Sequence, residues 1–275
     1  MKLSAVACAL LFTLPIAAQT AQTPQTPIAN PANQTWPTTP AQQTLALQEI
    51  QLQKQLAEFQ IMKAKLDDWA QLGRYRADNA ALLPPAPGEQ RVVFYGDSIT
   101  DAWPIARFFP GRPYINRGIS GQTTPQMLVR FQQDVVHLKP AAVIILAGTN
   151  DIAGNTGPET PEMIEDNLTS MAAIAKYYDI KVIFASILPA IAYPWKPGVH
   201  PADEIRALNT WLKDFARRDG DVYLDYYSAL ADAEGGMKPG LSKDGVHPTP
   251  VGYAIMSPLA EGAIITALVP QPSGK

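Results

Sequence analysis

Three residues of this sequence have the types and spacing needed to activate a hydroxyl group as a nucleophile: Ser98, Asp244 and His247. Ser98 stands two residues after Gly96, where the apolar run 91–95 ends. His247 has an aspartate, Asp244, three residues before it in a run of turn-forming residues, whereas His137 ends a predicted helix, where a helix C-cap is the simpler explanation. A carboxylate at that distance can bond the imidazole Nδ1 proton and leave Nε2 facing a serine. The chemistry indicated is nucleophilic acyl transfer, and a helix-capping serine beside an ordinary turn is the alternative.

Two further runs offer donors for a negatively charged oxygen. Asn150, in Gly148-Thr149-Asn150-Asp151, follows the strongly apolar run 143–146. Its amide can donate hydrogen bonds without carrying charge. Gly118, in the run 116–121, can present a backbone N–H at close range, and so can Ser98 itself. We expect Ser98, Gly118 and Asn150 to form an oxyanion hole, although the same residue types also make ordinary turns.

Strands and helices alternate along the part of the chain that must position these residues. Apolar runs predict buried strands at 91–95, 114–116, 141–147, 181–186 and 222–224. Helical spacing covers 124–139, 161–178 and 203–218, and a helix could open over 99–108. This alternation predicts an α/β fold with a parallel sheet covered on both faces. Ligands of such sheets bind beyond the carboxyl ends of the strands, where these motifs lie.

Aromatic side chains in the loop 188–198 are candidates for substrate contact. Tyr193 and Trp195 could stack on a sugar, line an acyl groove, or pack the loop itself. We interpret Asp97 and Asp151 as residues that fix strand-end loops through backbone N–H groups, in preference to a glycosidase pair. No metal and no other cofactor is predicted, because no His/Cys cluster with the spacing of a metal site is present in the sequence.

The N-terminal region is organised differently from the rest. Residues 1–18 predict a signal peptide cleaved between positions 18 and 21, and the single cysteine, Cys8, lies inside it. Residues 19–40 have the composition of a Gln/Thr/Pro-rich linker. Residues 41–72 predict an amphipathic helix, read either as a homodimer seam or as a helix lying on the main domain, which we favour. The main domain is expected over 73–270.

Composition bounds the partners and the location. The 275 residues carry 22 basic and 25 acidic side chains, a formal charge of −3 that gives no basic surface for nucleic acid. After signal removal we expect no membrane-spanning segment and a secreted or periplasmic location in a bacterium.

Together these motifs resemble the SGNH (GDSL-type) esterases and lipases, from about Asp68 to Leu268. The first block reads Gly-Asp-Ser-Ile where the family usually has Gly-Asp-Ser-Leu. The lead-in residues Trp69, Arg74, Tyr75 and Arg76 are similar to those of platelet-activating-factor-acetylhydrolase-like members. The resemblance implies a flavodoxin-like three-layer sandwich with five parallel strands, here preceded by an N-terminal helix.

The resemblance also implies roles for the residues. Ser98 would be the nucleophile, His247 the general base and Asp244 its orienting partner, with Ser98, Gly118 and Asn150 as the oxyanion hole. The expected activity is hydrolysis of short acyl esters, above all acetyl esters, with acetylated carbohydrates as the expected substrates. An acyltransferase acting on sugars and a lysophospholipase-type lipid esterase remain alternatives that use the same residues.

Overall fold

The computed structural model of the chain describes residues 39–269 and divides the chain into two units that meet between Glu58 and Phe59. The predicted signal peptide, Cys8 and nearly all of the predicted linker lie outside the described residues. The helices are α1 (Pro40–Asp67), α2 (Arg76–Ala81), α3 (Ser98–Asp101), α4 (Ile105–Phe108), α5 (Thr124–Asp134), α6 (Thr149–Ile152), α7 (Pro161–Tyr177), α8 (Ala202–Asp219), α9 (Tyr227–Leu230) and α10 (Pro250–Leu268).

Five parallel strands form the sheet, which confirms the predicted fold class. They are β1 (Val92–Gly96), β2 (Tyr114–Gly118), β3 (Ala142–Leu146), β4 (Lys181–Ala185) and β5 (Val222–Leu224), in the order β2-β1-β3-β4-β5. The chain runs from β1 to one neighbour and then crosses to the other side for β3. Such a reversal opens a crevice at the carboxyl ends of the strands.

Alternate strand residues face two separate apolar cores. Val93, Val143 and Phe184 face the core made with α5, α7 and α8, whereas Phe94, Ile144 and Ile183 face the core made with α4 and α10. Both faces of every central strand are therefore apolar, which is why the strands read as continuous apolar runs in the sequence. Helix α10 is long and apolar enough to suit a membrane span, and 39% of its apolar stretch is buried within the protein, including residues of the second core.

Two helices are shorter than the sequence predicts. The expected helix over 99–108 is two single turns, α3 and α4, separated at Trp103-Pro104, because proline disfavours helical geometry in the residue before it. The expected helix over 124–139 ends at Asp134 and continues as a 3₁₀ turn, Val136–Leu138, with Lys139 in the left-handed region at φ 49°.

Helix α1 also ends earlier than predicted, at Asp67 instead of residue 72. The Asp68 carboxylate accepts the backbone N–H groups of Leu72 and Gly73, which turns the chain. In the second unit, Phe59 and Leu66 of this helix are 59% and 72% exposed. The favoured interpretation of residues 41–72 predicts a helix lying on the main domain, but this part of α1 does not bury these two side chains there.

A buried arginine in α5 joins the ends of the first two strands. The Arg130 guanidinium donates to the carbonyl oxygens of Gly96 and Arg117, at 3.0 and 2.9 Å, and also bonds the Gln122 side chain. It pairs with Asp134, 3.1 Å away, and both side chains are fully buried. A buried charge is costly unless its hydrogen bonds are satisfied. The Arg130 guanidinium therefore fixes the positions at which the loops after β1 and β2 begin.

We expect Arg130→Met to lower the free energy of unfolding by about 3–5 kcal/mol, because it leaves the Asp134 carboxylate buried without a counter-charge. Urea denaturation measures the loss. Adding Asp134→Leu should restore much of it, and Arg217→Met, which removes a largely exposed partner of Asp214, should cost less than about 1 kcal/mol. Equal losses for Arg130 and Arg217 would contradict the structural role of Arg130.

Candidate active site

Ser98 begins helix α3 immediately beyond strand β1. Gly96 is required at the strand end, since a Cβ there would lie 2.6 Å from the Leu146 carbonyl oxygen. The Asp97 side chain accepts the Ile99 N–H at 2.9 Å and so caps the helix. The half-buried Ser98 hydroxyl thus stands at the carboxyl edge of the sheet, at a helix start.

His247 and Asp244 lie in the loop before α10 and meet Ser98. Ser98 Oγ is 2.9 Å from His247 Nε2, and His247 Nδ1 is 2.6 Å from Asp244 Oδ2. The bond to Asp244 places a proton on Nδ1 and leaves Nε2 to accept the serine hydroxyl. The other carboxylate oxygen, Oδ1, accepts the backbone N–H groups of Val246 and His247, which holds the turn. The sequence-predicted Ser98, His247 and Asp244 are therefore in hydrogen-bonding order.

The same contacts set the pKa of Asp244. Burial raises it, but hydrogen bonds from the His247 ring and from the backbone N–H groups of His247 and Val246 outweigh burial. The pKa of Asp244 is held well below its ordinary value, so this carboxyl is ionised wherever the histidine can act as a base.

The structure does not support Gly118 as an oxyanion donor. Its N–H donates to Asn116 Oδ1 at 2.8 Å, and its Cβ position lies 2.1 Å from the Asp101 backbone nitrogen. Gly118 is needed because α3 packs directly on β2. Three residues later, Gly121 is exposed, has φ +79°, and its N–H has no acceptor within the described chain. Both glycines lie in the predicted run 116–121, and the free donor belongs to the second.

Asn150 is buried beside these loops, with its amide fully engaged. Its Nδ2 donates to Asp97 Oδ2 at 3.1 Å and to the Gln122 carbonyl oxygen at 3.0 Å. Its Oδ1 accepts from Asn155 Nδ2 at 2.7 Å. The amide hydrogens therefore face the nucleophile loop and the Gly121 loop, and an oxyanion would have to share one of them.

The predicted loop-fixing roles of two aspartates agree with their contacts. Asp151 Oδ1 accepts the Thr124 N–H at 2.7 Å and also its hydroxyl. Asp97 Oδ1 accepts the Ile99 N–H, and its Oδ2 accepts the Asn150 amide. Burial raises the pKa of Asp97 to about 6, and the Ile99 N–H and the nearby His247 only partly oppose this effect.

Tyr193 and Trp195 have different environments. The Trp195 ring stacks on Tyr193, with centroids 5.1 Å apart, and lies 6.0 Å from the His247 ring. Trp195 is 40% exposed, whereas Tyr193 is 1% exposed and supports it from beneath. The covered ring of Tyr193 favours packing of the loop over substrate contact for this residue. Asn155, which the sequence analysis missed, bonds the Trp195 indole N–H at 3.0 Å; its Asn-Thr-Gly context reads as an ordinary turn.

Residues 94–255 match the model of the GDSL-like lipase/acylhydrolase family. The chain belongs to this family. Among residues 39–269, no group of three or more His, Cys, Asp or Glu residues is placed to hold a metal ion. The described site of this GDSL-type esterase brings together the hydroxyl of Ser98, the imidazole of His247 and the carboxylate of Asp244.

Known proteins with similar sequences and structures agree with this assignment. A Bacteroides fragilis protein described as an acylhydrolase is 44% identical, covers 72% of this chain and 97% of its own, and superposes with a TM-score of 0.70. Esterase TesA of Pseudomonas aeruginosa is 31% identical over 139 residues, 49% of this chain and 60% of TesA. The lipoprotein YqeF of Bacillus subtilis is 27% identical over 168 residues, 52% of this chain and 69% of YqeF.

The raised pKa of Asp97 predicts a specific pH dependence of stability. Its folded pKa of about 6 exceeds the ~3.9 of an unfolded aspartate, so its stabilising contribution is full below pH ~4 and is lost as the pH rises through 6. The free energy of unfolding of the wild type relative to Asp97→Asn should fall by about 2–3 kcal/mol between pH 4 and 7. Urea titrations across this range measure it, and a difference that does not change with pH would refute the assignment.

Proposed function

We propose that this esterase hydrolyses its substrates through a covalent acyl-enzyme on Ser98. The observation that supports this most directly is the hydrogen-bonded order Ser98–His247–Asp244, with 2.9 and 2.6 Å between the partners. His247 takes the hydroxyl proton as Ser98 Oγ attacks the ester carbonyl carbon. Asp244 holds the ring orientation and stabilises the imidazolium that forms.

In this proposal the tetrahedral oxyanion is bound by the Ser98 N–H, the Gly121 N–H and the Asn150 amide. Gly121 replaces Gly118 because its N–H is free and its neighbour Gln122 accepts from Asn150. Collapse of the intermediate expels the alcohol, which takes the proton from His247. Water then attacks the acyl-enzyme with His247 again as base, and the carboxylic acid leaves.

We propose acetyl and other short acyl esters, carried on carbohydrate alcohols, as the substrate class. The leaving oxygen must lie at His247, and the exposed ring of Trp195 stands beside that histidine. A flat aromatic surface at this position suits the apolar face of a sugar ring. Trp195 would thus bind the alcohol part, with Tyr193 fixing its orientation.

We further propose that the enzyme acts outside the bacterial cytoplasm, in the periplasm or secreted. The support is the signal-peptide pattern of residues 1–18 together with the similarity to a lipoprotein, which is itself an exported class of protein.

Ser98→Ala should abolish hydrolysis of p-nitrophenyl acetate, with kcat falling by roughly 10⁴–10⁶-fold, as expected when a nucleophile is removed. Acetate release from glucose pentaacetate should be lost in parallel. A folded Ser98→Ala variant that keeps wild-type activity would overturn the mechanism. A wild type that prefers octanoyl to acetyl esters would overturn the short-acyl assignment.

We also propose that α1 pairs with a second copy of the chain. Leu45, Leu52, Phe59 and Leu66 recur every seven residues, and each is more than half exposed. A seven-residue apolar repeat is the pattern of a coiled-coil seam.

The double variant Leu52→Glu/Phe59→Glu should therefore convert a dimer into a monomer, because it places like charges in the seam. Light scattering of the full mature chain measures the mass, with Lys54→Glu as the control on the same helix. Identical masses for all three proteins would exclude the seam.

A further inference from the structure

Asn155, in the loop after α6, has both ends of its side-chain amide engaged. Its Nδ2 donates to Asn150 Oδ1 at 2.7 Å, and its Oδ1 accepts the Trp195 indole N–H at 3.0 Å. Its backbone N–H also bonds the Asn150 carbonyl oxygen at 3.0 Å. An exposed asparagine is thus held in one orientation by two residues of the active site.

The bond to Asn150 decides which way that amide faces. An amide has one accepting and one donating end, and a half-turn about its last torsion exchanges them. Because Asn155 presents an N–H to Asn150 Oδ1, the NH₂ group must face Asp97 and the Gln122 carbonyl. This is the side on which the oxyanion would form.

The bond to Trp195 decides how the indole lies. The ring rests on Tyr193 on one side, and its N–H is tied to Asn155 at its edge. The surface next to His247 is therefore held in place by a stack and a hydrogen bond together. A side chain held in this way is preorganised and loses little freedom when a ligand binds.

We propose that Asn155 is a positioning residue. It couples Trp195, the aromatic surface proposed for the alcohol part of the substrate, to the Asn150 amide, which would donate to the oxyanion. This proposal rests on the hydrolytic function proposed above. Asn155 acts through Asn150 on the chemical step and through Trp195 on substrate binding.

Four variants of the full mature chain separate these effects, measured as kcat and KM on p-nitrophenyl acetate and glucose pentaacetate, with Tm as a check on folding. Asn155→Ala should lower kcat by roughly 10–100-fold on both esters, a part of the loss expected for an oxyanion donor. Asn155→Asp keeps an acceptor for the indole but sets a carboxylate against Asn150 Oδ1, so kcat should fall at least as far. Trp195→Phe keeps a ring without the N–H, and should raise KM for the sugar ester more than for p-nitrophenyl acetate.

Thr156→Ala is the matched control, since Thr156 is the next residue of the loop and bonds Thr123 and Glu159 instead of Asn150. Its kcat should stay within about twofold of wild type. An unchanged kcat in Asn155→Ala, or an equal loss in Thr156→Ala, would overturn the positioning role while an inactive Ser98→Ala still upheld the hydrolase. Activity persisting in Ser98→Ala would instead remove the hydrolytic mechanism and the positioning role with it.

Discussion

The constraint on which this active site depends is a guanidinium buried under it. Arg130 is fully enclosed, so its donors must be satisfied by protein atoms, and two of its acceptors are the carbonyl oxygens of Gly96 and Arg117. Those carbonyls belong to the last two residues of the neighbouring strands β1 and β2. A displacement of either loop would leave the buried Arg130 guanidinium without an acceptor, which costs several kcal/mol. The loop that carries Ser98 is therefore held by its hydrogen bond to the charged Arg130 side chain as well as by packing.

Gln122 connects the buried Arg130 to residues nearer the surface. Its side chain bonds Arg130 on one end and the Ala70 carbonyl on the other, while its backbone carbonyl accepts the Asn150 amide. Tyr75 adds a hydrogen bond to the Gly118 carbonyl. The segment before the sheet is thus bonded to the loop that carries the proposed backbone donor.

The strands and the order Ser98–His247–Asp244 could be predicted because local signals coincide with the fold. A strand covered on both faces must be apolar throughout, and an aspartate three residues before a histidine fits one tight turn. The choice between Gly118 and Gly121 could not be made, since it depends on which N–H finds an acceptor. The sequence could not decide between substrate contact and loop packing for Tyr193, because an irregular loop has no periodic pattern from which burial can be predicted.

The two carboxyl groups near Ser98 have pKa values that their surroundings shift in opposite directions. Asp244 is partly exposed and accepts four hydrogen bonds from its own turn, which favour the charged form. Asp97 is enclosed, and burial disfavours its charge. A fixed negative charge next to a developing oxyanion opposes the reaction, so the donors around Asp97 must neutralise much of it. The Asn150 amide donates to the Asp97 carboxylate and faces the side on which the proposed oxyanion would form. Its orientation therefore affects both the stability of the Ser98 loop and the proposed chemical step.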